Sequence, residues 1–277
     1  MSLSLLGLFN AVSPKDKGSR CIVADIGYGA APSQRLDIYA PIGADRRLPV
    51  LQFIHGGGWT GGNKNEYEFV GRALAALGYV TVLAGYRMVP EVEYPVFVRD
   101  GVSAMQWIVD NIADFGGDAR RIGLIGHSAG AYNAVMMVLD PRHLASRGLR
   151  ERVRAVVGLS GPYDFHPFDG PISLRVFGAA RHGQLTQPIH HAAAGAPPML
   201  LATGDRDRLV HPRNTIAMAA RLRALEVPVV ERHYRGLDHP APMLALGRVW
   251  RARAPVLDDI RDFLDGYLRG ADEDQRG

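Results

Sequence analysis

The pentapeptide GHSAG, at residues 126–130, contains the serine with the clearest capacity for chemistry. The apolar run RIGLI precedes it and the helix-like run AGAYNAVMMVL follows it, so the motif lies at a turn between a strand and a helix. Glycines on both sides of Ser128 remove the Cβ clashes that would otherwise forbid so tight a turn. The pattern predicts a nucleophilic Ser128 at the C-terminal edge of a sheet, with an ordinary Gly/Ser connector as the alternative.

The glycine-rich stretch FIHGGGWTGG, at residues 53–62, suits the same chemistry. Attack of a serine on an acyl carbonyl places negative charge on the carbonyl oxygen, and each fixed backbone N–H group aimed at that oxygen contributes roughly 3–4 kcal/mol. Backbone donors come that close only where no side chain intervenes. We expect Gly57, Gly58 and Ala129 to supply these N–H groups, and His55 to brace the loop.

A serine hydroxyl on its own is a weak nucleophile and needs a base that an acid holds in place. The run LLATGDRDRLV is typical of a strand that enters a turn, and its G-x-x-D-x-x-V spacing favours Asp207 over Asp205, which suits a turn cap. Downstream, His239 lies in a loop beyond the strand VPVVERHY, whereas His233 lies within that strand. The sequence therefore favours Asp207 as the acid and His239 as the base.

Short apolar runs alternate with helical patterns over most of the chain, and this alternation predicts the fold class. CIVADIGYG and QRLDIYAP predict an antiparallel pair of strands near the start. Later strands are predicted at LPVLQFIHG, YVTVLAGYR, RIGLIGHS, VRAVVGLSG, PPMLLATGD and VPVVERHY, most of them with helical segments between. This spacing indicates an α/β fold with a mostly parallel central sheet and helices on both faces.

No repeat, low-complexity linker or compositional break divides the chain, so we expect a single domain over residues 1–277. A short helical segment is expected within residues 1–20. The one sizeable irregular region, residues 162–198, follows the sixth strand of the predicted sheet and is interpreted as a small cap insertion.

Composition and charge argue against several classes of function. The net charge is +4, but the arginines are spread along the chain without a basic stripe, which argues against nucleic-acid binding. The single Cys21 rules out an internal disulfide, and its apolar neighbours predict a buried side chain. Because no run approaches the roughly 18 apolar residues that span a bilayer and the start lacks a signal-peptide pattern, we expect a cytoplasmic protein without stable membrane insertion.

Residues beside the two glycine motifs are candidates for a substrate pocket. Trp59 follows Gly58 in the glycine-rich stretch and His127 precedes the serine, with core packing as the alternative role for Trp59. His190 and His191 indicate a metal only weakly, because no further ligand follows at a metal-site spacing. No phosphate-binding or dinucleotide-binding glycine pattern occurs, so we expect neither a metal nor a cofactor.

The sequence resembles α/β-hydrolases of the carboxylesterase type, namely the bacterial hormone-sensitive-lipase-like esterases and the neighbouring kynurenine formamidase-like group. The matching segments span nearly all of the chain: LDIYAP, HGGGW, YR, YP, GGDARRIGLIGHSAG, LSGPYD and ATGDRDRLV. The resemblance implies that Gly57, Gly58 and Ala129 form an oxyanion hole. It also implies that Ser128, Asp207 and His239 form a catalytic triad.

Two positions depart from the hormone-sensitive-lipase-like pattern. That pattern usually has aspartate before the serine and a third glycine after the motif, where this chain has His127 and Ala131. The DIYAP, GHSAG and SGPYD segments lean toward the formamidase-like and small-esterase side of the resemblance.

These residues predict a serine carboxylesterase that hydrolyses small-molecule esters through an acyl-enzyme. Because the cap segment is small for a lipase lid, we expect a fairly open site that favours short acyl chains. The nearest alternative is an arylformamidase, which would use the same residues on N-formylkynurenine. A non-catalytic ligand-binding protein on the same scaffold is a further alternative, although such proteins typically lack a member of the triad. Homodimers through an edge strand or a terminal helix occur in this fold, so a homodimer is one expected form.

Overall fold

An eight-stranded sheet forms the centre of the computed structural model, which describes residues 4–269. Its strands are β1 Ser19–Gly27, β2 Arg35–Pro41, β3 Leu48–Ile54, β4 Val80–Ala84, β5 Gly117–His127, β6 Val153–Leu159, β7 Met199–Gly204 and β8 Val229–Tyr234. They lie in the order β1-β2-β4-β3-β5-β6-β7-β8. The β1–β2 and β2–β4 pairs are antiparallel and all later pairs are parallel. The predicted α/β class with a mostly parallel sheet is confirmed.

Apolar sequences place the central strands in the interior. All seven residues of β3 are buried, and successive side chains of a strand point to opposite faces of the sheet. Val50 accordingly packs in one core cluster and its neighbour Leu51 in another. The one polar side chain of β3 is tied to the helix Val96–Asn111, because the amide Nε2 of Gln52 donates to the backbone oxygen of Gly101 at 3.0 Å.

Helices cover both faces of this sheet. They are α1 Leu5–Val12, α2 Glu68–Ala76, α3 Val96–Asn111, α4 Ala129–Leu139, α5 Pro171–Phe177, α6 Arg213–Arg223, α7 Ala241–Leu244 and α8 Val256–Leu268. Short 3₁₀ helices lie at Lys64–Tyr67, Ile112–Phe115, Ala145–Arg147, Arg150–Arg152, Gly183–Thr186, Pro188–His191 and Arg251–Arg253. Residues of α3 and α4 pack in one core cluster and residues of α2 and α8 in the other. Among the described helices, none combines the length and apolar character that a bilayer crossing requires.

The connection between β6 and β7 crosses the carboxyl end of the sheet and overlaps the predicted cap, residues 162–198. It contains α5 and two of the 3₁₀ helices. The Phe177 ring of α5 packs edge-on against Trp59 at 4.9 Å between centroids, and the Tyr132 hydroxyl of α4 donates to the backbone oxygen of Thr186 at 2.5 Å. The assignment of residues 162–198 as a cap within one domain stays a prediction. The same holds for the domain bounds 1–277, whose first and last residues lie outside the described part of the chain.

The N-terminal segment and the first strand lie at the surface. Helix α1 begins after Ser4, whose Oγ accepts the N–H of Gly7 at 2.9 Å, so a helix does form within the predicted residues 1–20; residues 1–3 are not described. The prediction of a buried Cys21 is wrong, because this side chain is exposed. Strand β1 is the edge of the sheet and most of its residues face solvent, a position that an apolar run alone does not reveal.

Candidate active site

Ser128 lies at a strained turn between β5 and α4. Its backbone has φ 55° and ψ −121°, a conformation that a side chain adopts only where its surroundings enforce it. The Ser128 N–H donates to the backbone oxygen of Leu159 at 2.8 Å. A Cβ on Gly126 would lie 2.2 Å from the Gly130 oxygen, and a Cβ on Gly130 would lie 2.0 Å from the Ile54 oxygen. The glycines of GHSAG are therefore required by close backbone packing around the serine.

One chain of hydrogen bonds joins the serine to the predicted base and acid. The Nε2 of His239 lies 2.8 Å from the Ser128 Oγ, and its Nδ1 lies 2.7 Å from the Oδ2 of Asp207. The other carboxylate oxygen of Asp207 accepts the N–H groups of Leu209 at 3.0 Å and Val210 at 2.9 Å. The structure thus brings together the three side chains that the sequence singled out, in an order suited to proton transfer.

The environment of Asp207 keeps its carboxylate ionised. Burial of this fully enclosed side chain favours the neutral acid. The hydrogen bond and charge of His239, together with the two backbone N–H donors, outweigh burial and hold the pKa of Asp207 below its usual value. A charged carboxylate at Nδ1 keeps the proton on that nitrogen, which leaves Nε2 free to accept the serine proton.

Asp205 and His233, the candidates that the sequence disfavoured, form hydrogen bonds with other partners. Asp205 accepts the N–H of Gly236 at 2.6 Å, as a turn cap does. His233 lies on β8 with its Nε2 2.7 Å from the carboxylate of Glu231. Among the hydrogen bonds of residues 4–269, neither side chain is joined to the serine.

The proposed oxyanion donors gather at the carboxyl ends of two adjacent strands. Gly57 and Gly58 follow β3, and Ala129 opens α4 after β5; Ile54 and Gly126, the residues near these strand ends, pair directly. A Cβ on Gly57 would lie 2.0 Å from a backbone oxygen of its own loop, so this position admits only glycine. The use of these N–H groups toward an oxyanion stays a prediction.

Two tyrosines that the sequence left without a role hold the proposed oxyanion loop, residues 55–58. The Tyr86 hydroxyl donates to the backbone oxygen of His55 at 3.0 Å, and its ring stacks on the imidazole at 4.4 Å. The Tyr67 hydroxyl accepts the N–H of Gly56 at 3.3 Å. Burial lowers the pKa of His55 to about 4, so the brace is a neutral ring that donates from Nδ1 to the Gly56 oxygen at 2.8 Å. The YR motif was the available signal for Tyr86.

The two candidate pocket residues are both buried. Trp59 is 4% exposed and its Nε1 donates to the Asn133 Oδ1 at 3.0 Å. Its ring packs edge-on against Tyr132 and Phe177, which places it in an aromatic cluster under the β6–β7 connection. His127 is 5% exposed and contacts the loop of the proposed base through its ring.

The histidine pair of the sequence lies in the same connection. The Nε2 of His191 donates to the backbone oxygen of Leu185 at 2.8 Å, and His190 precedes it in a 3₁₀ helix. Across the part of the chain that the structure describes, no three His, Cys, Asp or Glu side chains are grouped as metal ligands. The same Nε2 lies 4.0 Å from the Oδ2 of Asp140 at the end of α4, so the contacts of His191 are those of packing between the connection and that helix.

Replacing Gly58 with alanine should lower kcat by about 10²-fold while changing stability little, because the methyl group would crowd the loop whose N–H groups we expect to face the oxyanion. The backbone there has φ 61°, and the nearest atom to the new Cβ would be the Ile172 Cγ2 at 3.4 Å, so the substitution fits with ordinary left-handed strain. The matched control is Gly148→Ala, at φ 66° with open space around it. Equal kcat in the two variants would remove Gly58 from the oxyanion site.

Comparison with known proteins identifies relatives over most of the chain. The BD-FAE family profile matches residues 36–222. Esterase LipC of Mycobacterium tuberculosis is 30% identical over 269 residues, an alignment that covers 84% of this chain and 66% of LipC. The probable isoprenylcysteine alpha-carbonyl methylesterase ICMEL2 of Arabidopsis thaliana is 30% identical over 238 residues, covering 77% of this chain and 56% of that protein. The chain thus spans between about half and two thirds of the length of these two relatives.

A solved structure shows the same fold. Esterase B from Lactobacillus rhamnosis, in a crystal structure with a tributyrin phosphonate inhibitor, superposes with a TM-score of 0.84 at 19% identity, covering 98% of this chain and 93% of that one. The predicted resemblance to α/β-hydrolase esterases is therefore confirmed. With the family profile matching well over half of its residues, the chain belongs to the BD-FAE family and has the α/β-hydrolase fold.

Proposed function

We propose that the chain is a serine carboxylesterase that hydrolyses short-acyl carboxylic esters. The observation that carries this proposal is the unbroken hydrogen-bond chain from Asp207 through His239 to Ser128. A carboxylate, an imidazole and a hydroxyl in this order are the groups that acyl transfer needs. The position of Ser128 at a helix N-terminus adds a favourable field for the negative charge of the tetrahedral intermediate.

The reaction proceeds in two proton-balanced halves. His239 takes the Ser128 proton at Nε2 as Oγ bonds to the ester carbon, and the ionised Asp207 stabilises the imidazolium. The intermediate collapses to an acyl-enzyme when the imidazolium gives that proton to the departing alkoxide. Water then attacks the acyl carbon with His239 again as base, and the carboxylic acid leaves as Ser128 regains its proton. The N–H groups of Gly57, Gly58 and Ala129 would hold the oxyanion in both halves.

Esters are favoured over formamides and over mere binding. LipC is named an esterase, ICMEL2 a probable methylesterase, and esterase B was crystallised with an ester-mimicking phosphonate. These names support an ester substrate for this chain. The hydrogen bond from Ser128 to His239 is what a catalyst needs and a simple binding protein does not.

Short acyl groups are favoured by what surrounds Gly58. The Ile172 Cγ2 lies 3.4 Å from where a Cβ on Gly58 would stand, so the β6–β7 connection touches the loop that would receive the substrate carbonyl. Behind that loop the space is filled by the Trp59, Tyr132 and Phe177 rings. The connection, residues 162–198, would thus act as a small cap that shortens the acyl pocket.

The acyl preference is tested with p-nitrophenyl esters. We expect kcat/KM for the butyrate to exceed that for the laurate by at least about tenfold, and Ile172→Ala to narrow this ratio by a similar factor as the pocket opens. Leu174→Ala is the control, because Leu174 lies on the same helix with similar exposure, whereas the atoms nearest to a Cβ on Gly58 belong to Ile172 and Thr60. Wild-type preference for the laurate would contradict the short-acyl proposal, and preference for N-formylkynurenine over the butyrate would contradict the ester class.

A further inference from the structure

His127 lies between the loop that carries His239 and the loop of the proposed oxyanion donors. It precedes Ser128 in the chain, and its ring centroid is 5.1 Å from that of His239. Its Nε2 is 3.1 Å from the backbone oxygen of His239. Its Nδ1 faces the start of the oxyanion loop, 3.1 Å from where a Cβ on Gly56 would stand. One buried ring therefore contacts both the base loop and the oxyanion loop.

The hydrogen bond determines the protonation state of this ring. A backbone carbonyl only accepts, so Nε2 of His127 must carry the proton that reaches the His239 oxygen. Within residues 4–269, Nδ1 of His127 has no hydrogen-bond partner. Burial, reinforced by the charge that His239 can carry, lowers the pKa of His127 to about 3. The ring is thus a neutral, single-proton donor at ordinary pH.

We propose that His127 is a positioning residue for His239, whose carbonyl it holds through the Nε2–H bond so that the imidazole meets both Ser128 and Asp207. This inference rests on the proposed function of the same site. The held carbonyl belongs to the residue that carries the base, so a shift of the loop moves Nε2 of His239 away from the serine. A misplacement of about 1 Å at a reacting group can cost about 10²-fold in rate.

The chemistry of the position explains why a neutral donor of this length suits it. His239 becomes an imidazolium during turnover, and a cationic side chain about 5 Å away would oppose that charge. A carboxylate has no proton to donate to the carbonyl. An amide on a glutamine side chain can place its nitrogen near the Nε2 position, whereas asparagine is one bond shorter. We therefore expect glutamine, but not the shorter asparagine, to replace His127 as the donor to the His239 carbonyl.

The test compares His127→Gln with His127→Asn and His127→Leu. We expect the Asn and Leu variants to lose about 10- to 100-fold in kcat on p-nitrophenyl butyrate with KM within about twofold of wild type, and the Gln variant to stay within about threefold in both constants. A residue that only fills space would be replaced better by leucine than by glutamine. Equal losses in all three variants, or wild-type kcat in the Leu and Asn variants, would overturn the proposal. If the Leu variant fails to fold, the Gln and Asn pair decides.

A second readout does not depend on any substrate. The proton between Nδ1 of His239 and Asp207 should give a low-field proton resonance, assigned by its disappearance in Asp207→Asn. We expect this resonance in wild type and His127→Gln, and its broadening or loss in His127→Asn. An unchanged resonance in the Asn variant would overturn the positioning role. Absence of ester hydrolysis by the wild type would instead overturn the proposed function, and the resonance would still decide the role of His127.

Discussion

Ser128→Ala should abolish ester hydrolysis, with kcat falling by about 10⁶-fold. Residual activity at that level would equal what a trace of contaminating wild-type enzyme gives. The reason is the loss of the Ser128 Oγ, the atom proposed to bond the acyl carbon, which lies 2.8 Å from Nε2 of His239. Stability should change little, since the alanine keeps the same backbone and removes one hydrogen bond, worth about 1 kcal/mol. Steady-state assays with p-nitrophenyl butyrate and thermal melts measure the two effects.

A fluorophosphonate probe provides the control for this prediction, because it bonds covalently to an activated serine. Wild type should label at Ser128, identified by peptide mass, and Ser128→Ala should not label. His239→Ala should also remain unlabelled, since the hydroxyl then lacks its base. Hydrolysis that persists in purified Ser128→Ala at more than a trace would show that another residue is the nucleophile.

Asp207→Asn should lower kcat by about 10⁴-fold with little change in KM. The amide preserves the shape but offers an N–H or a neutral oxygen to Nδ1 of His239, so the imidazole is no longer held in the tautomer that accepts the serine proton. The loss of charge also removes the stabilisation of the imidazolium. Kinetics on p-nitrophenyl butyrate measure the effect, with circular dichroism to verify the fold.

The matched control is Asp205→Asn, two residues away in the same turn. Asp205 bonds the N–H of Gly236 rather than the base, so its variant should keep kcat within about threefold of wild type, as expected of a residue outside the reacting groups. Because the pKa of Asp207 is held below its usual value, its carboxylate keeps its charge to a lower pH than an ordinary aspartate does. Similar losses in the two variants would remove Asp207 from its assigned role.

The strands of the sheet could be predicted from the sequence because most of the parallel strands contain a short apolar run. The strand LPVLQFI is buried along its whole length, as a strand covered on both faces must be. The apolar run around Cys21 looks the same but forms an edge strand, and its cysteine faces solvent. Which strand lies at the edge depends on strand order, and no local pattern encodes that order.

The proposed active-site residues could be predicted from the sequence because each follows a predicted strand. Ser128, Asp207 and the loop of His239 come after β5, β7 and β8, and parallel strands bring their carboxyl ends to one edge. Their supports were not readable. Tyr86 bonds His55 from 31 positions along the chain, and Ile172 reaches Gly58 from the irregular β6–β7 connection. Such contacts join distant segments, and even the YR motif that contains Tyr86 does not indicate which residue its hydroxyl bonds.

The sequence alone determined the fold class and which serine, acid and histidine to propose, because backbone strain, glycine spacing and strand ends are local properties. Only the tertiary structure decided what holds these groups: that Trp59 packs among aromatic rings, and that His127 bonds the carbonyl of His239 across 112 positions. The physical reason is that a side chain's burial and its hydrogen-bond partner depend on how separate loops pack together. The motif GHSAG reads the same whether the ring of its histidine faces solvent or bonds the backbone of the proposed base.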